Sequence, residues 1–83
     1  MSDPTLYMYC TPWCGDCRAA RAWLESRGIA YEEIDVSADD EMRAKAAAFN
    51  EGRLHTPTFE CGDAICVDFH PDKLCEILGI EIL

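Results

Sequence analysis

The stretch that decides the fold is Tyr9-Cys10-Thr11-Pro12-Trp13-Cys14-Gly15-Asp16-Cys17-Arg18. The run of β-formers at 5–9 is apolar on both alternating faces, which is typical of a strand buried in a sheet that has helices on each side. From Cys14 onward the chain turns to helix formers, and Arg27-Gly28 supplies a cation and a glycine stop. The Cys14-x-x-Cys17 pair is therefore expected to straddle the N-terminus of a helix.

Downstream of this stretch, residues 29–36 are predicted to form a second strand because they follow a glycine stop and are rich in β-branched residues. Ser37 is expected to open a second helix as part of a capping box. That helix would place Met42, Ala46 and Phe49 on one apolar face, and it would end near Gly52.

The remaining residues predict a hairpin and a last helix. Strands at 58–61 and 64–67 are joined by Gly62-Asp63, which suits a type II′ turn. Pro71 fits the first turn of a helix with an apolar stripe that ends at Gly79. The predicted order is βαβαββα, an α/β fold with a four-stranded mixed sheet flanked by helices, in a single domain over residues 1–83.

Composition and charge exclude several classes of function. The chain has 83 residues, 16 of them acidic and seven basic, for a net charge of −9. No basic stripe is available for nucleic acid or for an anionic membrane. Without an export signal or a membrane-spanning run, we expect a cytoplasmic monomer whose cysteines are mostly reduced.

The Cys14–Cys17 spacing predicts thiol-disulfide exchange. Such exchange needs one accessible thiolate that attacks and a second thiol close enough to resolve the mixed disulfide. A helix N-terminus offers unpaired N–H groups and partial positive charge to Cys14, while Cys17 lies one turn further on. We therefore predict Cys14 as the nucleophile and Cys17 as the resolving thiol, with Arg18 supporting the thiolate and Asp16 opposing it.

The same stretch resembles the glutaredoxin family of the thioredoxin superfamily, and the element order agrees over nearly the whole chain. The resemblance implies a cis Thr56-Pro57 bond beside the active-site sulfurs, with the backbone before it pairing with a substrate. It also implies that Trp13 shields the sulfurs and helps to dock partners. The candidate substrate-binding residues are Thr11, Pro12, Trp13, Thr56, Pro57, Asp68 and Phe69.

The resemblance implies a disulfide-containing protein or a small thiol as substrate, a reductase as partner, and no tightly bound cofactor or metal. Glutathione-using members usually carry a basic residue where this chain has Thr11, and a Gly-Gly where it has Val67-Asp68-Phe69. The segment 69–72 is similar to redoxins that serve ribonucleotide reductase, whereas 11–17 resembles mycoredoxins. Glutathione, mycothiol and thioredoxin reductase all remain candidate electron donors.

A metal-binding module is the alternative function. Cys61 and Cys66 could complete a zinc site with Cys14 and Cys17, or a dimer could hold an iron-sulfur cluster through Cys14. The predicted hairpin, however, pairs Cys61 with Ala64 and Phe59 with Cys66. Cys61 and Cys66 are then diagonal, about 7–8 Å apart, which does not demand a metal.

The other two cysteines are predicted to have structural roles. Cys10-x-x-x-Cys14-x-x-Cys17 matches the cluster spacing of radical S-adenosylmethionine enzymes, but 83 residues cannot build their barrel. Cys10 is therefore interpreted as a buried residue at the end of a strand rather than as an auxiliary redox thiol. Cys75 is interpreted as a small residue of the core.

Overall fold

The fold was analysed in a computed structural model that describes residues 4–80. The elements follow the predicted order, and their bounds are β1 Leu6–Cys10, α1 Gly15–Ser26, β2 Glu32–Asp35, α2 Asp40–Ala48, β3 Thr58–Cys61, β4 Ala64–Val67 and α3 Pro71–Leu78. None of the helices described in this range is long and apolar enough to cross a membrane.

The four strands form one mixed sheet in the order β2-β1-β3-β4. Strand β1 runs parallel to β2 and antiparallel to β3. In the β3–β4 hairpin, Phe59 lies opposite Cys66 and Cys61 opposite Ala64, which confirms the predicted register. Gly62 has a φ of 61°, the positive value that the first central residue of a II′ turn requires.

Each face of the sheet carries its own apolar core. The large core joins alternate residues of β1 to α1, α3 and the hairpin; its buried members are Leu6, Met8, Cys10, Cys17, Ala20, Leu24, Phe59, Cys66 and Leu74. The small core, on the side of α2, consists of Tyr9, Val36 and Ala46. Since β1 contributes to both cores, it is buried on both faces, as its sequence predicted.

Three predicted boundaries differ from the structure, one of them the end of α2, which lies at Ala48 rather than near Gly52. The second strand begins at Glu32 rather than at residue 29, because Ile29 N–H closes the end of α1 on the Leu24 carbonyl at 3.0 Å. The cap of α2 is Asp39, whose side chain accepts from Met42 N–H at 3.1 Å. Ser37 was predicted in that role, but it instead bonds to the Asp35 carboxylate before the helix starts.

Candidate active site

The junction between β1 and α1 presents Cys14 at the surface. Cys14 is the N-cap residue of α1, and the turn before it is closed by its N–H on the Thr11 carbonyl at 3.4 Å. Cys17 N–H donates to the Cys14 sulfur at 3.3 Å. Because the side chain of Cys14 is half-buried rather than buried, one sulfur at the helix N-terminus is both hydrogen-bonded and accessible.

Cys17 lies one turn into α1 and is completely buried in the large core. The structure joins it by a disulfide to Cys10, at the end of β1, and leaves Cys14 as a free thiol. The Cα atoms of Cys10 and Cys17 are 6.0 Å apart, a separation typical of disulfides.

Cys10 is a buried residue at the end of a strand, as predicted, but its bond to Cys17 was not predicted from the sequence. The i, i+3 spacing predicts a redox pair of Cys14 and Cys17 and does not include Cys10. Strand alternation offered the missing clue, because Cys10 shares a face of β1 with Leu6 and Met8, and α1 packs on that face. A side chain at the end of that face must point toward the first turn of the helix.

The loop before β3 approaches the same sulfur. Its Thr56-Pro57 bond is cis, as the resemblance implied. The Cys14 thiol donates to the Thr56 carbonyl at 3.5 Å, and Pro57 is buried. Asp68 N–H donates to the Pro57 carbonyl at 2.8 Å, so the loop is also fixed to the end of β4.

Three candidate residues lie in the turn that leads into α1. Trp13 is 76% exposed, an unusual fraction for the largest apolar side chain, and Pro12 is exposed beside it. Thr11 is half-buried. The surface next to Cys14 is therefore apolar and open to a partner.

Asp68 and Phe69 follow β4 in a strained turn. Asp68 has a φ of 74°, a left-handed conformation that Asp tolerates better than most residues, and its carboxylate accepts from Phe69 N–H at 2.7 Å. This hydrogen bond, with His55 Nε2 at 3.3 Å, holds the pKa of Asp68 below its usual range. Phe69 packs edge-on against Trp23.

His55 is a neighbour of Asp68 whose contact was not predicted from the sequence. It immediately precedes the Thr56-Pro57 loop, and its backbone carbonyl accepts from the Thr58 hydroxyl at 2.6 Å. Nothing in its local sequence indicated a contact with Asp68, since the two residues meet only after the sheet has formed. The loop before β3 and the turn after β4 are thus linked by side chains as well as by backbone.

The other cysteines lie apart from this junction. Cys61 is half-buried on β3, whereas Cys66 and Cys75 are buried. Within residues 4–80, no group of three or more His, Cys, Asp or Glu side chains is arranged to hold a metal ion. The metal-binding alternative is therefore not favoured, and Cys75 packs in the interior as predicted.

Comparison with known proteins identifies the family. The family model described as Glutaredoxin matches residues 5–63. A protein of Mycobacterium tuberculosis that carries the glutaredoxin name is 30% identical over 76% of this chain and 75% of its own length. A glutaredoxin of Pseudomonas aeruginosa is 30% identical over 81% and 82% of the two chains.

Among solved structures, a mutant of the thioredoxin-like protein BC3987 superposes with a TM-score of 0.81 at 28% identity, over 93% of this chain and 97% of that one. Members of the matched family catalyse thiol-disulfide exchange and use low-molecular-weight thiols such as glutathione or mycothiol as reductants. The chain belongs to the glutaredoxin family of the thioredoxin superfamily and is a thiol-disulfide oxidoreductase in that general sense.

Proposed function

We propose that this protein reduces disulfides by a dithiol mechanism in which Cys14 is the nucleophile and Cys17 the resolving thiol. The observation that carries the proposal is the position of the Cys14 sulfur, half-buried at the N-cap of α1 and 3.3 Å from Cys17 N–H. A backbone N–H stabilises a sulfur that carries negative charge, and only a thiolate attacks a disulfide efficiently.

The reaction starts from the reduced protein, in which the Cys10–Cys17 disulfide is open and Cys17 is a thiol, and it proceeds in two exchanges. The Cys14 thiolate attacks one sulfur of the substrate disulfide, forms a mixed disulfide and releases the other sulfur as a thiolate. Cys17 then attacks the Cys14 sulfur and releases the second substrate thiol. Because Cys17 lies in the first turn of α1 and its N–H contacts the Cys14 sulfur at 3.3 Å, the second exchange is intramolecular and faster than attack by a dissolved thiol.

The surface around Cys14 supports a protein disulfide or a mixed disulfide of a small thiol as substrate. We assign contacts with the substrate to Thr11, Pro12 and Trp13 on one side, where Trp13 offers its exposed ring. Thr56 and Pro57 border the sulfur on another side. Asp68 and Phe69 complete the site as the next layer, since Asp68 is tied to the Pro57 carbonyl.

Thr11 and Asp68 bear on the choice of electron donor. Thr11 supplies no cation for the carboxylates of glutathione, and Asp68 adds a negative charge at the opposite border of the site. We therefore propose mycothiol or thioredoxin reductase, rather than glutathione, as the preferred donor. The free thiols of Cys61, Cys66 and Cys75 suit a reducing compartment such as the cytosol.

The test is to supply one acceptor disulfide and compare three reducing systems: glutathione with glutathione reductase, mycothiol with its reductase, and thioredoxin reductase alone. Consumption of NADPH reports turnover in each. We expect sustained turnover, fastest with one of the last two systems. Absence of turnover with all three would contradict the proposed activity, whereas fastest turnover with glutathione would contradict only the assignment of the donor.

A further inference from the structure

The β1–α1 junction contains three cysteines, Cys10, Cys14 and Cys17, and the dithiol mechanism uses only the last two. Cys10 and Cys17 are each fully buried, and they are bonded to one another. Cys14 packs against the same core but reaches the surface as a free thiol. Cys17 thus has two cysteine neighbours, the buried Cys10 and the accessible Cys14.

The position of Cys10 is fixed by the sheet rather than by a flexible loop. Cys10 pairs with Asp35 of β2, and its carbonyl accepts from Val36 N–H at 2.9 Å. Strand alternation turns its side chain toward α1. Because Cys17 lies in the first turn of that helix, a sulfur held on the central strand faces a sulfur held on the helix, with no loop that must move to bring them together.

We infer that Cys10 is a third redox thiol of the same reaction, which takes over the disulfide from Cys14 after the substrate has left; this inference rests on the proposed dithiol function. In the added step, the Cys10 sulfur attacks the Cys17 sulfur of the Cys14–Cys17 disulfide. The Cys10–Cys17 bond forms, the Cys14–Cys17 bond breaks, and Cys14 leaves with the electron pair and receives the proton that Cys10 gives up. One disulfide replaces another, so no further oxidant or reductant is consumed.

The step has a clear consequence for the oxidised protein. Its disulfide is buried between Cys10 and Cys17, where a dissolved thiol cannot reach either sulfur. Its accessible thiol is again Cys14. Electrons therefore re-enter through Cys14, which attacks Cys17 and regenerates the Cys14–Cys17 disulfide that the external donor then reduces.

Disulfide mapping over time tests the relay. Fully reduced protein is mixed with one equivalent of bis(2-hydroxyethyl) disulfide, quenched with acid at successive times, denatured, and labelled with N-ethylmaleimide. Trypsin should release residues 1–18, which contain all three cysteines, and fragmentation locates the label. We expect the label on Cys10 at early times and on Cys14 at the end. A label that stays on Cys10 would overturn the inference.

Two alanine variants provide the matched comparison. Cys10→Ala removes the proposed third thiol, and Cys66→Ala removes a cysteine that is equally buried in the same core. The oxidised Cys66→Ala variant should carry its label on Cys14, as the wild type does, whereas oxidised Cys10→Ala should retain the Cys14–Cys17 disulfide. If Cys10→Ala does not fold, the wild-type time course decides alone.

The mapping separates this inference from the proposed function. A protein that turns over normally but holds only the Cys14–Cys17 disulfide contradicts the relay and leaves the function intact. A protein that forms the Cys10–Cys17 disulfide but turns over with none of the donors contradicts the function, and with it the place of Cys10 in a catalytic cycle.

A second measurement uses Cys14→Ser, in which the Cys10–Cys17 disulfide is formed with a chemical oxidant. Dithiothreitol should reduce that bond at least about tenfold more slowly than in the wild type, because the accessible sulfur that passes electrons inward is missing. Equal rates would show direct access to the buried pair and would overturn the inference.

Discussion

The β1–α1 junction and the β3–β4 hairpin each display a half-buried cysteine, but they surround it with different groups. Cys14 at the junction receives a backbone N–H from Cys17 at 3.3 Å, in addition to donating to the Thr56 carbonyl at 3.5 Å. Cys61 on the hairpin donates to the Pro4 carbonyl at 3.7 Å. An N–H can bind a negatively charged sulfur, whereas a carbonyl can only accept from a neutral thiol. Equal exposure therefore does not imply equal reactivity.

The buried cysteines extend the same contrast. Cys17 is buried at the junction and bonded to Cys10. Cys66 is buried in the hairpin, where its thiol donates to the Asp68 carbonyl at 3.6 Å. Burial raises the pKa of the Cys66 thiol, and the backbone of His70 opposes this only in part. We therefore propose that a cysteine in this fold becomes redox-active through its position at the helix N-terminus.

The largest expected effect comes from Cys14→Ser. It should lower disulfide reductase activity by at least about 100-fold, because within residues 4–80 no other accessible cysteine sulfur is seen to receive a helix N–H. Cys61→Ser, a change of the same chemistry at a similarly exposed cysteine, should retain wild-type activity. Steady-state kinetics on both variants measures the effect. Comparable losses of activity in the two variants would contradict the difference in reactivity between Cys14 and Cys61.

Cys17→Ser should have the next largest effect. Turnover with a protein disulfide as substrate should fall by about tenfold or more, because a dissolved thiol must replace the intramolecular one. The mixed disulfide should accumulate, visible as an added mass on the intact protein. Unchanged turnover without that mass would show that Cys17 does not resolve the intermediate.

Cys66→Ala should separate stability from activity. Removing a buried sulfur from the large core should lower the free energy of unfolding by about 1 kcal/mol, as small deletions in packed interiors do. Activity at a temperature where the variant is folded should equal that of the wild type. Urea unfolding and kinetics on the same samples provide the test, and lost activity in a folded sample would assign Cys66 to the site.

The smallest expected effect is a dependence of stability on pH. The folded protein holds the Cys66 proton more tightly than the unfolded chain, since burial raises this pKa above its ordinary 9.0. The stability that this contributes is present below that value and is lost as the pH rises through the pKa of the folded state. Under reducing conditions, the stability difference between wild type and Cys66→Ala should therefore shrink from about pH 8 to pH 10. A constant difference would contradict the assignment.

Much of the fold followed from local patterns. The apolar run of β1, the glycine after α1 and the Gly62-Asp63 turn predicted the element order, and the hairpin register that places Cys66 opposite Phe59 was correct. The predicted start of α2 was wrong because of a local hydrogen bond. Ser37 bonds to the Asp35 carboxylate, so Asp39 rather than Ser37 caps α2.

The site was predictable from the sequence only for those of its residues that lie close together in the chain. Cys14 and Cys17 are neighbours on one helix turn, so their spacing located them. The bond between Cys10 and Cys17 and the contact of Asp68 with His55 each join different elements, and they exist only once the helix and the hairpin have docked on the sheet. The cis bond before Pro57 came from family resemblance, because local sequence rarely dictates it.

The central claim, that Cys14 is the attacking thiol because of its place at the start of α1, is tested most directly by trapping the first covalent intermediate. Reduced Cys17→Ser is mixed with a disulfide substrate, the remaining thiols are blocked, and the modified cysteine is located by peptide mass spectrometry. We predict the substrate adduct on Cys14, whereas Cys61 should carry the blocking reagent and no substrate. An adduct that forms first on Cys61, or equally on both, would contradict the claim.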